Sequence, residues 1–115
     1  MQLTIKYTNG ALDEFQCDTF NFSSDVVEFH VIPDVVGRAP QQVSRDAVTS
    51  VLVPGGTPGN VDHQIIIWNR NFIETPMSIS GPIPTLRANP WIVFNQPDGS
   101  QLYMDDASVV RIREN

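Results

Sequence analysis

The sequence predicts an all-β fold, either a small SH3-like barrel or a compact β-sandwich of about eight short strands, mainly hairpin-connected. Apolar and polar residues alternate over short runs, which is the period of a half-buried strand. Seven glycines and nine prolines in 115 residues punctuate the chain between those runs. No stretch of about 11 residues carries apolar positions at helical spacing. The barrel is favoured, because closure removes exposed strand edges.

The clearest local pattern is at the start of the chain. Apolar and polar residues alternate over 3–8, and Asn9-Gly10 follows directly. This dipeptide accepts the positive φ angles of a type I′ turn, so we expect a tight hairpin with its return strand over 11–17.

Two more strands are expected in the first half, over 26–32 and over the β-branched run 48–53. Between them, 33–42 contains two prolines and a glycine, which predicts a loop. One turn of helix or 3₁₀ helix is expected over 44–48, with Ser44 as its cap.

The run Pro54–Asn60 interrupts regular structure. We interpret it as a long loop inside a single β domain spanning 1–115, because neither half is large enough to be expected to fold alone.

The second half is also expected to consist of strands. They are predicted over 64–69, 91–96, 101–104 and 109–113. The apolar run Ile65–Trp68 is typical of a strand that is buried on both faces. A weaker strand over 72–80 contains Pro76, which favours an edge position or a bulge. Pro97-Asp98-Gly99 predicts a second hairpin turn.

The two halves share a faint similarity. Each has a strand, an Asn-Gly or Asp-Gly turn and a return strand, and each later has an Asp-Ala pair, at Asp46 and at Asp106, before a Ser-Val strand. The spacings differ, so recurring β-turn patterns are favoured over an internal repeat.

Charge and hydropathy disfavour two classes of partner. The net charge is −6 and the seven Lys and Arg residues are scattered, which argues against binding nucleic acid or an anionic membrane. No apolar run approaches the roughly 20 residues that a membrane span needs.

The N-terminal residues lack a basic and apolar leader, so we expect a cytoplasmic protein or part of an assembly built in the cytoplasm.

The residues that usually carry chemistry are few. One cysteine and two dispersed histidines predict no metal site, and no motif indicates a cofactor. Cys17 is expected to be a buried, inert thiol. Asp62-His63 offers only a weak alternative of a small hydrolase. Asp106 is expected to cap the turn before the last strand.

Two segments combine tryptophan, arginine and asparagine beside loops, a composition enriched at protein interfaces. The prolines in loop 80–90 reduce the entropy lost when it orders on a partner, so we expect the main contact surface there. The alternatives are core tryptophans and a loop that folds back over an open end of the barrel. The predicted binding residues are Trp68, Arg70, Ile83, Leu86, Arg87 and Trp91.

These observations favour a non-catalytic structural or assembly/interaction protein that acts as a homo-oligomeric β module. The alternative is a protein that binds or sequesters a small ligand in a pocket lined by Trp, Arg and Asn, which a subunit interface could complete. A different protein partner is compatible with the first hypothesis.

Overall fold

The computed structural model describes residues 1–32, 41–86 and 89–115. The described residues form ten strands and two 3₁₀ turns, so the all-β prediction is confirmed and the strand number exceeds the expected eight or so. The strands are β1 Gln2–Tyr7, β2 Leu12–Phe22, β3 Val26–Val31, β4 Gln41–Ser44, β5 Val48–Val53, β6 His63–Asn69, β7 Glu74–Ile79, β8 Trp91–Asn95, β9 Gln101–Asp105 and β10 Val109–Glu114. The 3₁₀ turns are Arg45–Ala47 and Asp106–Ser108.

The strands pair antiparallel in two sheets. One sheet has seven strands in the order β4-β3-β2-β1-β5-β9-β8, and the other has three in the order β10-β6-β7. Ser80 N donates to Asn95 O at 2.8 Å, which brings the end of β7 beside the end of β8. Neither sheet closes on itself within the described residues, so the structure confirms the all-β class without confirming an SH3-like barrel.

The predicted hairpin at Asn9-Gly10 is present, but its turn is not type I′. Of that pair only Gly10 has a positive φ, at 88°. Gly10 N donates to Tyr7 O, and Tyr7 N donates to Ala11 O, both at 2.9 Å. This is a type I turn followed by one left-handed residue, a three-residue hairpin loop. The second predicted hairpin turn has the same form, with Gly99 at φ 93°.

Two further expectations about strands were wrong. Gln41 and Gln42, expected in the loop, begin strand β4, because β3 supplies that strand with four paired positions. The rest of that predicted loop, 33–40, lies outside the described residues. The run Ile65–Trp68 is buried on one face only: Ile65 is buried, whereas Ile66 is half-exposed. The expected edge position of Pro76 is confirmed, since β7 ends its sheet.

The expected 3₁₀ turn after β4 is present, although the Ser44 side chain makes no capping hydrogen bond. Asp105, not Asp106, caps the second 3₁₀ turn: its carboxylate accepts from Ala107 N at 3.3 Å. The reason is that the turn begins at Asp106, which leaves Asp105 at the position before it.

The two halves of the chain repeat one arrangement. Each has four strands, a 3₁₀ turn and a fifth strand; we call β1–β5 the first unit and β6–β10 the second unit. The first unit has the spatial order β4-β3-β2-β1-β5, and the second has β9-β8 beside β7-β6-β10, which is the corresponding order. The expectation that only turn patterns recur was therefore wrong.

The repeat extends to the core. Aligned by strand register and by the 3₁₀ turns, all six buried residues of the second core occupy positions that are also buried in the first. The matched pairs are Leu3 and Ile65, Ile5 and Ile67, Cys17 and Ile79, Val27 and Ile92, Phe29 and Phe94, and Val48 and Val109. One backbone bond before each 3₁₀ turn matches too, Arg45 N to Asp25 O at 2.7 Å and Asp106 N to Pro90 O at 3.0 Å. The sequence obscured the repeat because these alignments leave Asp46 and Asp106 one position out of step.

The two units are joined edge to edge by β5 and β9. Four residue pairs form this joint, running from Ser50 opposite Met104 to Val53 opposite Gln101. Tyr103 of β9 packs against the first core, while Leu102 packs against the second. The paired strands β5 and β9 therefore contribute side chains to both cores, one core on each face of the sheet.

Candidate interaction surface

The outer side of the second unit presents apolar groups to solvent. Phe72 is 75% exposed and Ile73 is 58% exposed, in the turn between β6 and β7. Beside them lie half-exposed Trp68 on β6 and residues of the edge strand β10. The Trp68–Phe72 surface is defined here as Trp68, Phe72, Ile73, Val110, Arg111 and Arg113.

Trp68 is the centre of this surface. The guanidinium carbons of Arg111 and Arg113 lie 5.2 Å and 5.1 Å from the centroid of its ring. Both arginines are therefore within the distance of a cation–π interaction with Trp68. Pairing of β10 with β6 sets this geometry, since Arg111 lies opposite Trp68 in the register. A shallow depression of about 250 Å³, lined by Trp68, Phe72, Val110 and Arg111, completes the surface.

Phe72 holds an unfavourable backbone conformation. Its φ is 58°, whereas the corresponding residues of the other two hairpin turns are Gly10 and Gly99. A left-handed conformation costs a residue with a Cβ roughly 1–2 kcal/mol. The Asn69 side chain supports the turn by accepting from Ile73 N at 3.1 Å. Because the Phe72 ring is largely exposed, burial within this chain does not offset that cost, and such outliers are often functional.

A polar cleft of about 380 Å³ lies between the two units. Its lining residues are Thr8, Asp46, Val48, Thr49, Asn69, Arg70, Asn71, Asp105 and Ser108. Arg70 is held there by its Nε, which donates to Ala107 O at 2.5 Å. Across the joint, Arg45 Nη1 lies 3.5 Å from the buried carboxylate of Asp105.

The two predicted tryptophans have different environments. Trp91 is 6% exposed and its Nε1 donates to Ser23 O at 2.6 Å, so it is a core residue as the alternative proposed. It also stacks edge-on against Phe22 at 5.2 Å. Trp91 begins β8 of the second unit yet packs in the first core, so it ties the units together. Trp68, by contrast, lies at the surface.

The residues of loop 80–90 that were predicted to bind a partner do not form an exposed surface in the described part of the chain. Ile83 and Leu86 are half-buried and pack against the second core, the arrangement expected if the loop folds back over it. Arg87 lies outside the described residues. The structure therefore brings Trp68 and Arg70 to one end of β6 and leaves the loop's apolar residues on the core.

Sequence reasoning missed Phe72, Ile73 and the two arginines of β10. Phe72 gave no signal in the sequence, because only the hydrogen bonds show that its turn has the same form as the first hairpin turn, with phenylalanine where that turn has glycine. The arginines gave no signal, because only strand pairing brings them over Trp68.

Asp62 and His63 form hydrogen bonds to different partners. Asp62 accepts from Gly81 N at 2.7 Å, while His63 Nδ1 lies 3.0 Å from Glu114 Oε2, so the pair considered for hydrolysis is not assembled as such. Within the described residues, no group of three or more His, Cys, Asp or Glu side chains is arranged to hold a metal ion. Burial raises the pKa of the Cys17 thiol, in line with the expected buried cysteine.

Comparisons with known proteins returned no match, whether to a family model, a curated protein or a solved structure. Among the described residues, no helix has the length and apolar character needed to cross a membrane.

Proposed function

We propose that this chain is a non-catalytic assembly protein that self-associates through the Trp68–Phe72 surface. The observation that carries this proposal is Phe72, an exposed aromatic residue in a left-handed position that glycine fills in the two comparable turns. A contact surface for another subunit supplies a reason for both the strain and the exposed apolar area.

The composition of the surface supports the same proposal. Tryptophan and arginine are enriched among the residues that dominate binding at interfaces, and both are present here. The stacked Arg111 and Arg113 hold the Trp68 ring in place before binding, which lowers the entropy lost on association.

We also propose that each unit is a small SH3-like barrel. Each unit contributes most of one core, and in each unit the fifth strand pairs with the first strand on the side opposite the second strand. Such a module supplies sheet edges and turns for contacts rather than an enclosed pocket.

Light scattering coupled to size exclusion tests the function. At micromolar concentrations the wild-type chain is expected to exceed the mass of one chain, and Phe72→Gly combined with Ile73→Thr is expected to shift it toward the monomer. Leu12→Thr is the matched control, since Leu12 is 62% exposed on β2 of the first unit. A wild-type monomer, or equal effects of the two changes, would refute the proposal.

A second candidate function is supported by the cleft between the units, which is a place for a small polar ligand. Its lining combines one arginine, two asparagines and the carboxylates of Asp46 and Asp105. Ligand-induced thermal stabilisation that disappears in Asp46→Ala, with the oligomeric state unchanged, would favour this candidate over assembly.

A further inference from the structure

We propose that the partner is a second copy of this chain, and that the outer edge of β10 pairs antiparallel with β4 of the next copy. This inference rests on the proposed function, and it names the partner and the geometry. Its template is the joint within one chain, where the fifth strand of the first unit pairs with the fourth strand of the second.

The repeat leaves the same two kinds of edge available. In the repeat, β5 corresponds to β10 and β9 corresponds to β4. The joint uses β5 and β9. In the described part of the chain, β4 ends the seven-stranded sheet and β10 ends the three-stranded sheet. A second copy brings a fourth strand to β10 just as the second unit brings one to β5, so the proposed contact continues an interface that already exists.

The template also gives the register. In the joint, Leu52 pairs with Leu102 and Val51 pairs with Tyr103. Transferred through the repeat, Arg113 of one copy lies opposite Gln41 of the next, and Ile112 lies opposite Gln42.

The side-chain faces are consistent with this register. Ile112 packs against its own core, as does its counterpart Val51. Val43 packs against the first core, as its counterpart Met104 packs against the second. The pairing therefore leaves both cores undisturbed and turns Arg111, Arg113 and Trp68 toward the neighbouring first unit.

Charge favours the same pairing. Residues 1–53 contain three Lys or Arg and seven Asp or Glu, so the first unit is acidic. The β10 edge contributes Arg111 and Arg113 to the contact, both exposed in one copy. Opposite charges across an interface steer association and disfavour pairing of like edges.

The geometry is head-to-tail rather than two-fold. Each copy uses β10 on one side and β4 on the other, so association continues until a ring closes or a filament grows. Pairing also removes two exposed strand edges, which are otherwise sites of non-specific aggregation.

Cysteine cross-linking between two variants tests the register. Gln41→Cys and Arg113→Cys are prepared separately with different mass tags, mixed and oxidised. Residues opposite each other in an antiparallel pair have Cα atoms about 4.5–5.5 Å apart, within the range for a disulfide. Most of the mixture is expected to shift to a species containing one chain of each kind, whereas each variant alone stays uncross-linked.

The controls separate pairing from random contact. Thr75→Cys places the thiol on β7, the other edge of the second sheet, and is expected not to cross-link to Gln41→Cys. The wild-type chain carries only buried Cys17 and serves as the blank. Efficient cross-linking of Arg113→Cys to itself, or of Thr75→Cys to Gln41→Cys, would overturn the proposal.

Light scattering on the wild-type chain distinguishes the two levels of failure, because Arg113→Cys itself alters the contact surface. A chain that is oligomeric but shows no cross-link between positions 41 and 113 refutes this pairing and leaves the assembly function standing. A chain that is monomeric refutes both.

Discussion

Replacing Trp91 with phenylalanine is expected to destabilise the whole chain. Trp91 comes from the second unit but fills the first core, where it is 6% exposed. Its Nε1 donates to Ser23 O at 2.6 Å and its ring meets Phe22 edge-on. Trp91→Phe removes the hydrogen bond and part of the buried ring while keeping an aromatic side chain.

The magnitude follows from those two losses. Leaving the Ser23 carbonyl without its donor costs about 1–3 kcal/mol. Removing part of a packed ring adds about 1 kcal/mol or more, because the core relaxes only partly around the space. The free energy of unfolding is therefore expected to fall by roughly 2–4 kcal/mol.

Trp68→Phe is the matched control. Trp68 is half-exposed, and the change chiefly weakens its stacking with Arg111 and Arg113, worth about 0.5–1 kcal/mol at such a site. Urea unfolding followed by circular dichroism at low protein concentration measures both variants without depending on either fluorophore. With a slope of about 2 kcal/mol per molar urea, Trp91→Phe lowers the midpoint by roughly 1–2 M.

The result that would refute this reasoning is a midpoint for Trp91→Phe at or above that of Trp68→Phe. A second check uses fluorescence. In Trp68→Phe the remaining emission comes from Trp91 alone, and it is expected to be blue-shifted until the chain unfolds.

Three further outcomes are expected from the described contacts. Phe29→Ala and Phe94→Ala, at matched positions of the two cores, are each expected to lower the free energy of unfolding by about 3–5 kcal/mol in urea titrations, and a loss below 1 kcal/mol at either would contradict the core assignment. Buried Cys17 is expected to react with a thiol reagent only as fast as the chain unfolds, so rapid reaction of the native protein would argue against its burial. Hydrogen bonds from Ser100 hold the pKa of Asp98 below its usual value. The ionised Asp98 carboxylate therefore stabilises the fold above its unfolded pKa of about 4, and this stabilisation is lost as the pH falls through the lower folded pKa. Acid titration of the wild-type chain beside Asp98→Asn, which has no such carboxylate to protonate, checks the sign.

Much of the local structure was predictable because it depends on neighbours in the sequence. Alternation over the first residues predicted β1, since the side chains of a strand alternate between its faces. The breaks at Pro54–Asn60 and at Gly99 were predictable from the conformational preferences of glycine and proline. The type of the first turn was not, because Asn9-Gly10 is compatible with two turn forms and the pairing of the flanking strands selects one.

The candidate surface was only half predictable. Trp68 and Arg70 stood out by composition, but Trp91 has the same composition around it and is buried. The difference arises from the position of β8, which brings Trp91 beside Ser23 although the two are far apart in the sequence. Phe72 became notable only when its turn could be compared with two others of the same form.

By itself the sequence determined the all-β class and the position of most strands and turns. Only the tertiary structure decided which strands are edges, which tryptophan is buried and that the two halves repeat one arrangement. The physical reason is that strand pairing and core formation depend on the contacts of residues distant in sequence. Different apolar residues satisfy those contacts equally well, so three of the six matched core pairs, Cys17 and Ile79 among them, differ in residue type.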